Sequence, residues 1–514
     1  MTTTITPIRQ PGNAVDPAAT PVNSLLDSSF VTWSAVFLLL FLVCSVAEDL
    51  RLRMWNDEIV TLYVARQGSP SEIVKATREG MDATPPLYPM LVSAILPIVR
   101  PDALAVRLPS TLGFAAMLLC VLLFCRRRMP AIYGFIAALL TALACSFYAT
   151  EGRCYGMVLG CAAGALVCWQ AAAERTPRAP WLTMLALCLA LATALHYYSL
   201  FLLVPLALAE FVRWRRSRKP DFAVLGAMLP ALVVLALHYP LIAAGRKYLS
   251  HFWTPGAVSW RQVPQFYLEF GLFAAGVILV GFIALAMTSG APAEQSVRRP
   301  VLPRYEWVAV VTLALMPVLV IAISSFTTHI FLARYTLWAA IGVAVASTWL
   351  LWITSCRQPL AGTLVLGALL LIVAAGQFRS LREPPLLRQG ETVRRELQFV
   401  PEGTQPIVVG YDHAFMELSY YAEPRLRARL VYPLSRSLEL RYNGSDLDYL
   451  LLSAVRRRTQ LHIVELDEFL KANHAFILAS VPKDYLPQYL ATAGYRLVAI
   501  NPEAAPGLYE VEAP

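Results

Sequence analysis

Residues 54–70 read MWNDEIVTLYVARQGSP, and they follow closely on the apolar stretch FVTWSAVFLLLFLVCSVA at 30–47. An apolar run of about 18 to 20 residues is long enough to cross a bilayer as a helix. Two adjacent carboxylates, Asp57 and Glu58, therefore lie just beyond a predicted membrane span, next to Trp55. An acidic pair at this level of a hydrophobic chain indicates a polar site at the membrane surface.

The composition is that of a membrane protein. Of the 514 residues, 57% are hydrophobic and only 15% are charged, and the mean hydropathy is +0.55. A water-soluble chain carries roughly a quarter charged residues, so most of this chain must face lipid or a bundle core. The net charge of +9 comes with short basic runs between apolar segments. Such runs are typical of cytoplasmic loops, so no nucleic-acid partner is expected.

Apolar runs of spanning length predict a polytopic α-helical membrane protein with about eleven transmembrane helices. The predicted spans are 30–47, 107–125, 131–149, 155–173, 181–197, 199–212, 223–242, 269–288, 307–325, 332–354 and 359–377. The segment PLYPMLVSAILPIV at 86–99 is expected at the membrane surface, because this places the basic runs on the cytoplasmic side. Those runs are at 126–128, 174–178, 213–219 and 298–299. The N-terminus is then expected inside and the C-terminus outside.

The sequence pattern changes near residue 379. The stretches IVVGY, RLVYPL, AFILAS and YRLVAI predict strands, and FMELSYYAEP, LDYLLLSAVRRR and DYLPQYLATAG predict helices. This alternation predicts a small extracytoplasmic α/β domain over 379–514, without the GxGxxG turn that would indicate a nucleotide. The expected organisation is a cytoplasmic tail at 1–29, a membrane domain at 30–378 with a large first outer loop at 48–106, and this α/β domain.

Five short polar motifs fall on the same side of the membrane in this topology. They are WNDE at 55–58, DATPPLY at 82–88, TEGRCY at 150–155, HYYS at 196–199 and HIFLARY at 329–335. Because the basic runs fall on the other side, these motifs predict one site at the outer membrane–water boundary.

The residue types in these motifs indicate group transfer. Asp57 can accept a proton from a hydroxyl nucleophile. Arg153 and Arg334 can hold a phosphate with paired hydrogen bonds and offset the charge of a phosphate leaving group. Aromatic rings such as Tyr155 and Tyr335 suit stacking on a sugar face. Together these groups fit a lipid-phosphate sugar donor.

Other residues of the motifs leave alternatives open. Glu58 diverges from Asp57 by about 100° on a helix, so it is expected either to orient a partner or to bind substrate. Glu151 either binds substrate or pairs with Arg153, and His196 belongs either to the site or to an interfacial aromatic belt. The metal requirement is open as well, since a carboxylate pair can hold a divalent cation as well as abstract a proton.

In order and spacing, these motifs resemble those of the GT-C glycosyltransferases, specifically the protein O-mannosyltransferase and lipid A aminoarabinose transferase group (glycosyltransferase family 39/83-like). The matching features, over roughly residues 25–350, are Asp57-Glu58, Pro85-Pro86-Leu87-Tyr88, Arg107-Leu108-Pro109-Ser110, Glu151-Gly152-Arg153-Cys154-Tyr155 and Arg334-Tyr335. The resemblance implies a GT-C fold and inverting transfer from a polyprenyl-phosphate-linked sugar, with Asp57 as general base. Thr84 stands where many relatives carry His or Lys before the Pro-Pro pair, and Asp82 is a candidate to replace that contact.

The expected partners are a polyprenyl-phosphate-linked sugar donor, a hydroxyl-bearing acceptor and membrane lipid. The acceptor is a protein, a lipid or a glycan, so protein glycosylation and lipopolysaccharide modification both stay open. The expected location is the bacterial inner membrane. The alternatives are a flippase or transporter of a lipid-linked saccharide, or a scaffold in envelope assembly. A transporter is expected to carry ionisable groups near the bilayer midplane and repeated halves, and the sequence shows few such charges and no evident duplication.

Overall fold

The protein is described from a computed structural model. The structure describes residues 21–248, 251–252, 257–268, 276, 302–354, 359–382 and 389–514. The predicted span at 269–288 therefore lies outside the described residues, apart from residue 276.

The part of the chain before the last domain is a bundle of helices. They are α1 (Pro21–Ser28), α2 (Phe30–Arg51), α3 (Asn56–Ala65), α4 (Pro70–Glu79), α5 (Leu87–Ile95), α6 (Asp102–Arg126), α7 (Ala131–Cys145), α8 (Tyr155–Glu174), α9 (Ala179–Leu195), α10 (Leu203–Ser217), α11 (Phe222–Leu237), α12 (Tyr239–Gly245), α13 (Arg304–Ser324), α14 (Ala339–Thr354) and α15 (Pro359–Arg382). Short 3₁₀ helices cover Ser146–Ala149, Tyr197–Leu202, Arg246–Tyr248 and Ala333–Thr336.

Within the described residues, seven helical segments are long and apolar enough to cross a membrane. The number is eight if Phe222–Leu237 and Tyr239–Tyr248 form one span with a bend of 51°. The helices α9 and α14 are apolar but shorter. Each of the ten predicted spans in the described ranges contains one of these helices, so the prediction of a polytopic α-helical membrane protein is confirmed.

The structure bears on two of the predicted segments, 86–99 and 332–354. The helix α5 has nine residues and is too short to cross a bilayer, which agrees with a surface position for 86–99. The span predicted at 332–354 starts too early, because its first residues form a 3₁₀ helix and α14 begins only at Ala339. Arg334 therefore lies in the 3₁₀ helix that precedes α14 and not in α14 itself.

Helices α6 and α8 pack closely through glycines. A Cβ atom on Gly156 would lie 2.2 Å from the carbonyl oxygen of Ser110, and one on Gly160 would lie 2.4 Å from that of Gly113. Small residues at such positions let the backbones of membrane helices approach one another. This contact brings the start of α6 against the loop that precedes α8, and both carry residues of the site.

The last domain holds a mixed six-stranded sheet flanked by short helices. The strands are β1 (Ile407–Val409), β2 (Leu430–Leu434), β3 (Ile463–Glu465), β4 (Ala475–Ala479), β5 (Arg496–Asn501) and β6 (Ala505–Glu512). The helices are α16 (Gln389–Glu396), α17 (Asp412–Tyr421), α18 (Pro424–Arg427), α19 (Arg436–Tyr442), α20 (Leu447–Arg458), α21 (Leu466–Ala472) and α22 (Leu486–Thr492).

The sheet has the order β3-β2-β1-β4-β6-β5, with β3, β2, β1 and β4 parallel and β6 antiparallel to both of its neighbours. All residues of β1 and β2 are buried, which explains their continuous apolar sequences. The predicted α/β character is confirmed, while β3 and β6 were not among the predicted strands. The domain boundary near residue 379 stays a prediction.

The α/β domain docks on the segment 48–106, between α2 and the start of α6. The backbone N–H of Met54 donates a hydrogen bond of 2.7 Å to the hydroxyl of Tyr421. Arg458, at the end of α20, forms ion pairs with Glu79 at 2.6 Å and with Glu72 at 3.0 Å. The domain therefore covers the segment that contains Asp57.

The basic runs at 126–128, 174–178 and 213–219 lie at the other end of the bundle, whereas the run at 298–299 lies outside the described residues. Helix α6 has 25 residues, about 37 Å of rise, between the site at its start and the basic run that follows its end. There Arg128 pairs with Glu306, and Arg178 and Arg213 both pair with Asp221. The assignment of this end to the cytoplasm stays a prediction.

Candidate active site

Glu58 is fixed at the start of α3 by an extensive set of hydrogen bonds. Its Oε2 accepts from the backbone N–H of Trp55 at 3.1 Å, which caps the helix. Arg107 donates from Nε to Oε1 and from Nη2 to Oε2, both at 2.7 Å, and the N–H of Gly152 donates to Oε1 at 2.7 Å. Because a carboxylate offers about four acceptor positions, this set fills Glu58. The structure favours the orienting alternative over substrate binding.

Arg107 joins several segments around this carboxylate. It also donates hydrogen bonds to the carbonyl oxygens of Asp49, Leu52 and Arg53, at the end of α2. The Arg107 and Glu58 side chains are each only 1% exposed. A Cβ on Gly152 would lie 2.4 Å from the Val106 side chain, so only glycine brings its N–H to Glu58.

Arg153 is held by Asp82. Its Nη1 lies 2.9 Å from Asp82 Oδ2 and its Nη2 lies 3.2 Å from Oδ1. Nη1 also donates to the hydroxyl of Thr61 at 2.9 Å and to the carbonyl oxygen of Asp57 at 3.3 Å. Asp82 Oδ1 further accepts from the N–H and the hydroxyl of Thr84, both at 2.9 Å. These contacts commit Nη1 of Arg153 to protein acceptors, including the backbone of Asp57, so this pair is placed to position Asp57.

Arg334 is more loosely paired than Arg107 and Arg153. Its Nη1 lies 4.0 Å from Oδ2 of Asp57, and its guanidinium carbon lies 5.9 Å from the centre of the Tyr155 ring. The side chains of Arg334 and Asp57 are 32% and 25% exposed. The buried Nε of Arg334 has no hydrogen-bond partner among the described residues. The site thus opens where a cation and a carboxylate face the same space.

Glu151 is a buried carboxyl group beside this pair. Both of its oxygens lack a hydrogen-bond partner within the described part of the chain, and the residue is 3% exposed. Burial raises the pKa of Glu151 to about 8, although Arg153 and Arg334 act in the opposite direction. The predicted pair with Arg153 is not formed as a direct ion pair among these residues. Glu151 is therefore largely neutral near pH 7 and able to donate a hydrogen bond.

Aromatic rings line one wall. The Tyr335 ring lies 4.7 Å from that of Tyr198 and 5.1 Å from that of His196, whose ring is 5.8 Å from Tyr155. Burial, with the positive charges of Arg334 and Arg153, lowers the pKa of His196 to about 3. His196 is therefore neutral at physiological pH and acts as one of the rings of this wall.

The α/β domain contributes residues that the sequence analysis did not single out. Asp412 and His413 begin α17, two residues after the end of β1, and the His413 ring lies 6.3 Å from the Trp55 ring. Burial raises the pKa of Asp412 to about 7, and the charge of Asp57 adds to this increase. The carboxyl end of a parallel strand is a common place for ligand-binding residues, and an Asp-His pair after a buried strand is the signal that could have indicated them.

The described residues were compared with the ligand groups that metal sites need. Within the described residues, no group of three or more His, Cys, Asp or Glu side chains is arranged to hold a metal ion. The neighbouring acidic pair does not form a chelate, since Glu58 is occupied by Arg107. The divalent cation considered above remains a prediction.

Two solved structures of known proteins are similar to this chain. ArnT from Cupriavidus metallidurans in the apo state is similar, with 13% identity, a TM-score of 0.41, and coverage of 94% of this chain and 98% of that one. The same protein bound to undecaprenyl phosphate matches with 13% identity, a TM-score of 0.42 and the same coverage. At this level of identity and TM-score, the likeness extends neither to activity nor to substrate. No protein-family model and no curated protein matches the sequence.

Proposed function

We propose that this protein is an inverting glycosyltransferase that moves a sugar from a polyprenyl-phosphate-linked donor to an acceptor hydroxyl. The observation that carries this proposal is the facing pair of Asp57 and Arg334, whose nearest charged atoms are 4.0 Å apart at an open site. A general base and a phosphate-binding cation are the two groups that such a transfer needs. The solved structure of ArnT bound to undecaprenyl phosphate is in keeping with this donor class.

In the proposed reaction Asp57 acts on the acceptor hydroxyl and Arg334 on the phosphate, and the two side chains move apart from their 4.0 Å contact when the substrates bind. Asp57 takes the proton of the acceptor hydroxyl, and the oxygen attacks the anomeric carbon. The bond from that carbon to the phosphate oxygen breaks, and polyprenyl phosphate leaves with the bonding electron pair. Arg334 offsets the negative charge that develops on the phosphate.

The surrounding residues prepare this arrangement. Glu58 with Arg107, and Arg153 with Asp82, fix the backbone on both sides of Asp57. The neutral carboxyl of Glu151 donates a hydrogen bond to the donor through its hydroxyl, which gives one of its two buried oxygens a partner. The rings of Tyr155, His196 and Tyr335 bind the sugar face.

The proposed setting is the bacterial inner membrane, with the N-terminus in the cytoplasm and the site and the α/β domain outside. Protein, lipid and glycan hydroxyls all fit the acceptor role. Protein glycosylation and lipopolysaccharide modification are therefore both compatible with the proposed reaction. A flippase is the second candidate. It would use the same groups to hold a saccharide lipid without breaking a bond.

Reconstitution separates these two activities. Purified protein is placed in vesicles with a polyprenyl-phosphate sugar that carries separate radiolabels on the sugar and on the lipid. A transferase separates the labels, releasing polyprenyl phosphate when acceptor is added. Movement of both labels together between leaflets, with no separation, would instead identify a flippase.

A further inference from the structure

Two arginines contact one tryptophan ring at the end of the bundle opposite the candidate active site. The guanidinium carbon of Arg127, just after α6, lies 5.8 Å from the centre of the Trp181 ring, and that of Arg175, just after α8, lies 5.6 Å from it. Trp181 itself is in the first turn of α9. Guanidinium groups beside an indole ring, at the ends of membrane helices, are typical of the level of the lipid headgroups.

The charge of Arg127 is offset only in part by carboxylates of the protein. Glu174 and Glu306 act on it favourably, but both of these carboxylates are bound by Arg128. Burial and the like charges of Arg175 and Arg128 outweigh them, so the pKa of the Arg127 guanidinium is lowered from its usual value. Its buried Nη1 has no hydrogen-bond partner in the described part of the chain. An anion between Arg127 and Arg175 would gain charged hydrogen bonds and offset their repulsion.

Apolar side chains extend from these arginines along the outside of the bundle. Leu119 and Leu123 of α6 are exposed, and they precede Arg127 by eight and four residues, which places them on the same face of the helix. On α9, the exposed apolar side chains that follow Trp181 are Met184, Leu187 and Leu191. Exposed apolar side chains on the outside of a membrane helix face the lipid acyl chains.

A lower surface lies between these two rows of side chains. Helix α8 packs against both α6 and α9. The thiol of Cys188 in α9 is close enough to those of Cys161 in α8 and Cys120 in α6 to interact with them, and all three residues are only partly buried. Because cysteine is shorter than leucine or methionine, the two rows form the walls of a shallow groove over α8. The two arginines and the indole ring lie at one end of this groove.

We propose that this groove binds an anionic phospholipid, with the phosphate on Arg127 and Arg175 beside Trp181 and the acyl chains between the walls formed by α6 and α9. The planar guanidinium group can pair with two phosphate oxygens at once. Basic pockets between membrane helices bind anionic headgroups, whereas the cation of a zwitterionic headgroup would be repelled by the arginines. The site is at the opposite end of the bundle from Asp57 and does not depend on the proposed transfer reaction.

Lipid titration of the full-length protein in detergent tests this proposal. Native mass spectrometry measures the binding of phosphatidylglycerol and of phosphatidylcholine to the delipidated wild type and to Arg127→Gln and Arg175→Gln variants. Because Arg175 is exposed, its variant is the one least able to disturb folding. Arg216→Gln is the matched control, since Arg216 is an exposed arginine in the last turn of α10, at the same end of the bundle but outside the groove. Inorganic phosphate is added as a competitor in a separate series.

We expect saturable binding of phosphatidylglycerol that is at least about tenfold tighter than that of phosphatidylcholine. Each variant in the groove should weaken it about tenfold, through the loss of a charged hydrogen bond, and Arg216→Gln should leave it unchanged. The thermal midpoints without lipid should be equal in all variants. Equal affinity for both lipids, or wild-type affinity for phosphatidylglycerol in the folded groove variants, would overturn the proposal. Displacement of the lipid by inorganic phosphate would also overturn it and would indicate a soluble anion instead. No sugar donor is present, so the result is independent of whether the protein is a transferase.

Discussion

Nη1 of Arg334 lies 4.0 Å from Oδ2 of Asp57, although the two residues come from opposite ends of the membrane domain. The distance is longer than a hydrogen bond, and both side chains are partly exposed. The two groups form a loose, partly exposed ion pair that a ligand can bind beside or separate, unlike the buried ion pair of Glu58 and Arg107.

Replacing Arg334 should weaken donor binding. We expect Arg334→Ala to raise the KM for the polyprenyl-phosphate sugar about 10- to 100-fold, since a charged hydrogen bond is worth roughly 1.5–3 kcal/mol. Steady-state kinetics over a range of donor concentration measures this. Arg304→Ala is the control. It changes an exposed arginine at the first position of α13 and should leave the KM unaltered. Unaltered KM in Arg334→Ala would remove the phosphate contact from the mechanism.

The ion pair of Glu58 and Arg107 should stabilise the folded protein. Glu58→Gln leaves a buried guanidinium without its counter-ion, and the expected loss in the free energy of unfolding is about 3–5 kcal/mol. Denaturant unfolding in detergent measures it. Glu79→Gln breaks a more exposed ion pair with Arg458, for which a loss below about 1 kcal/mol is expected. Similar losses for both variants would contradict the assigned role of Glu58.

The helices and most strands of this fold could be predicted from the sequence because apolar length and alternation are local properties. The motifs around Asp57, Arg153 and Arg334 could also be assigned to one site, since the positions of the spans place them on one side. The partners inside the site could not be predicted in this way. The bidentate contact of Arg153 with Asp82 depends on how a loop packs against a helix, which no spacing in the sequence encodes.

The contribution of the α/β domain was the least predictable part. Strands β3 and β6 are short or interrupted by polar residues, so alternation alone does not reveal them. The position of Asp412 near Asp57 depends on the docking of one domain on another, through contacts such as that of Tyr421 with Met54. Such contacts join residues far apart in sequence.

Removing one hydroxyl should loosen this docking. Tyr421→Phe leaves the N–H of Met54 without its acceptor, and the expected cost is about 1–3 kcal/mol. We expect faster cleavage between the domains in limited proteolysis. Tyr442→Phe is the control, because Tyr442 stacks on Tyr485 within the α/β domain and should retain the wild-type cleavage rate. Equal cleavage of both variants would show that the Tyr421 hydroxyl does not hold the domain.

The buried acid Glu439 should make stability depend on pH. Burial, aided by Asp448, raises its pKa from 4.5 to about 9 in the folded protein. Between these values the folded state binds more protons than the unfolded state, so the free energy of unfolding falls as pH rises. Glu439→Gln should reduce the fall in thermal midpoint between about pH 5 and pH 8, and Glu402→Gln, at an exposed position, should not. An unchanged slope in Glu439→Gln would contradict this pKa.

The most direct test of the central claim is transfer by Asp57→Asn, measured beside its donor affinity. Asparagine keeps the size of the side chain but cannot take a proton at neutral pH. We predict that turnover falls about 100- to 10,000-fold while the donor still binds with a Kd within a few-fold of wild type. Turnover equal to that of wild type, with the protein folded and the donor bound, would contradict the role of Asp57 as the base.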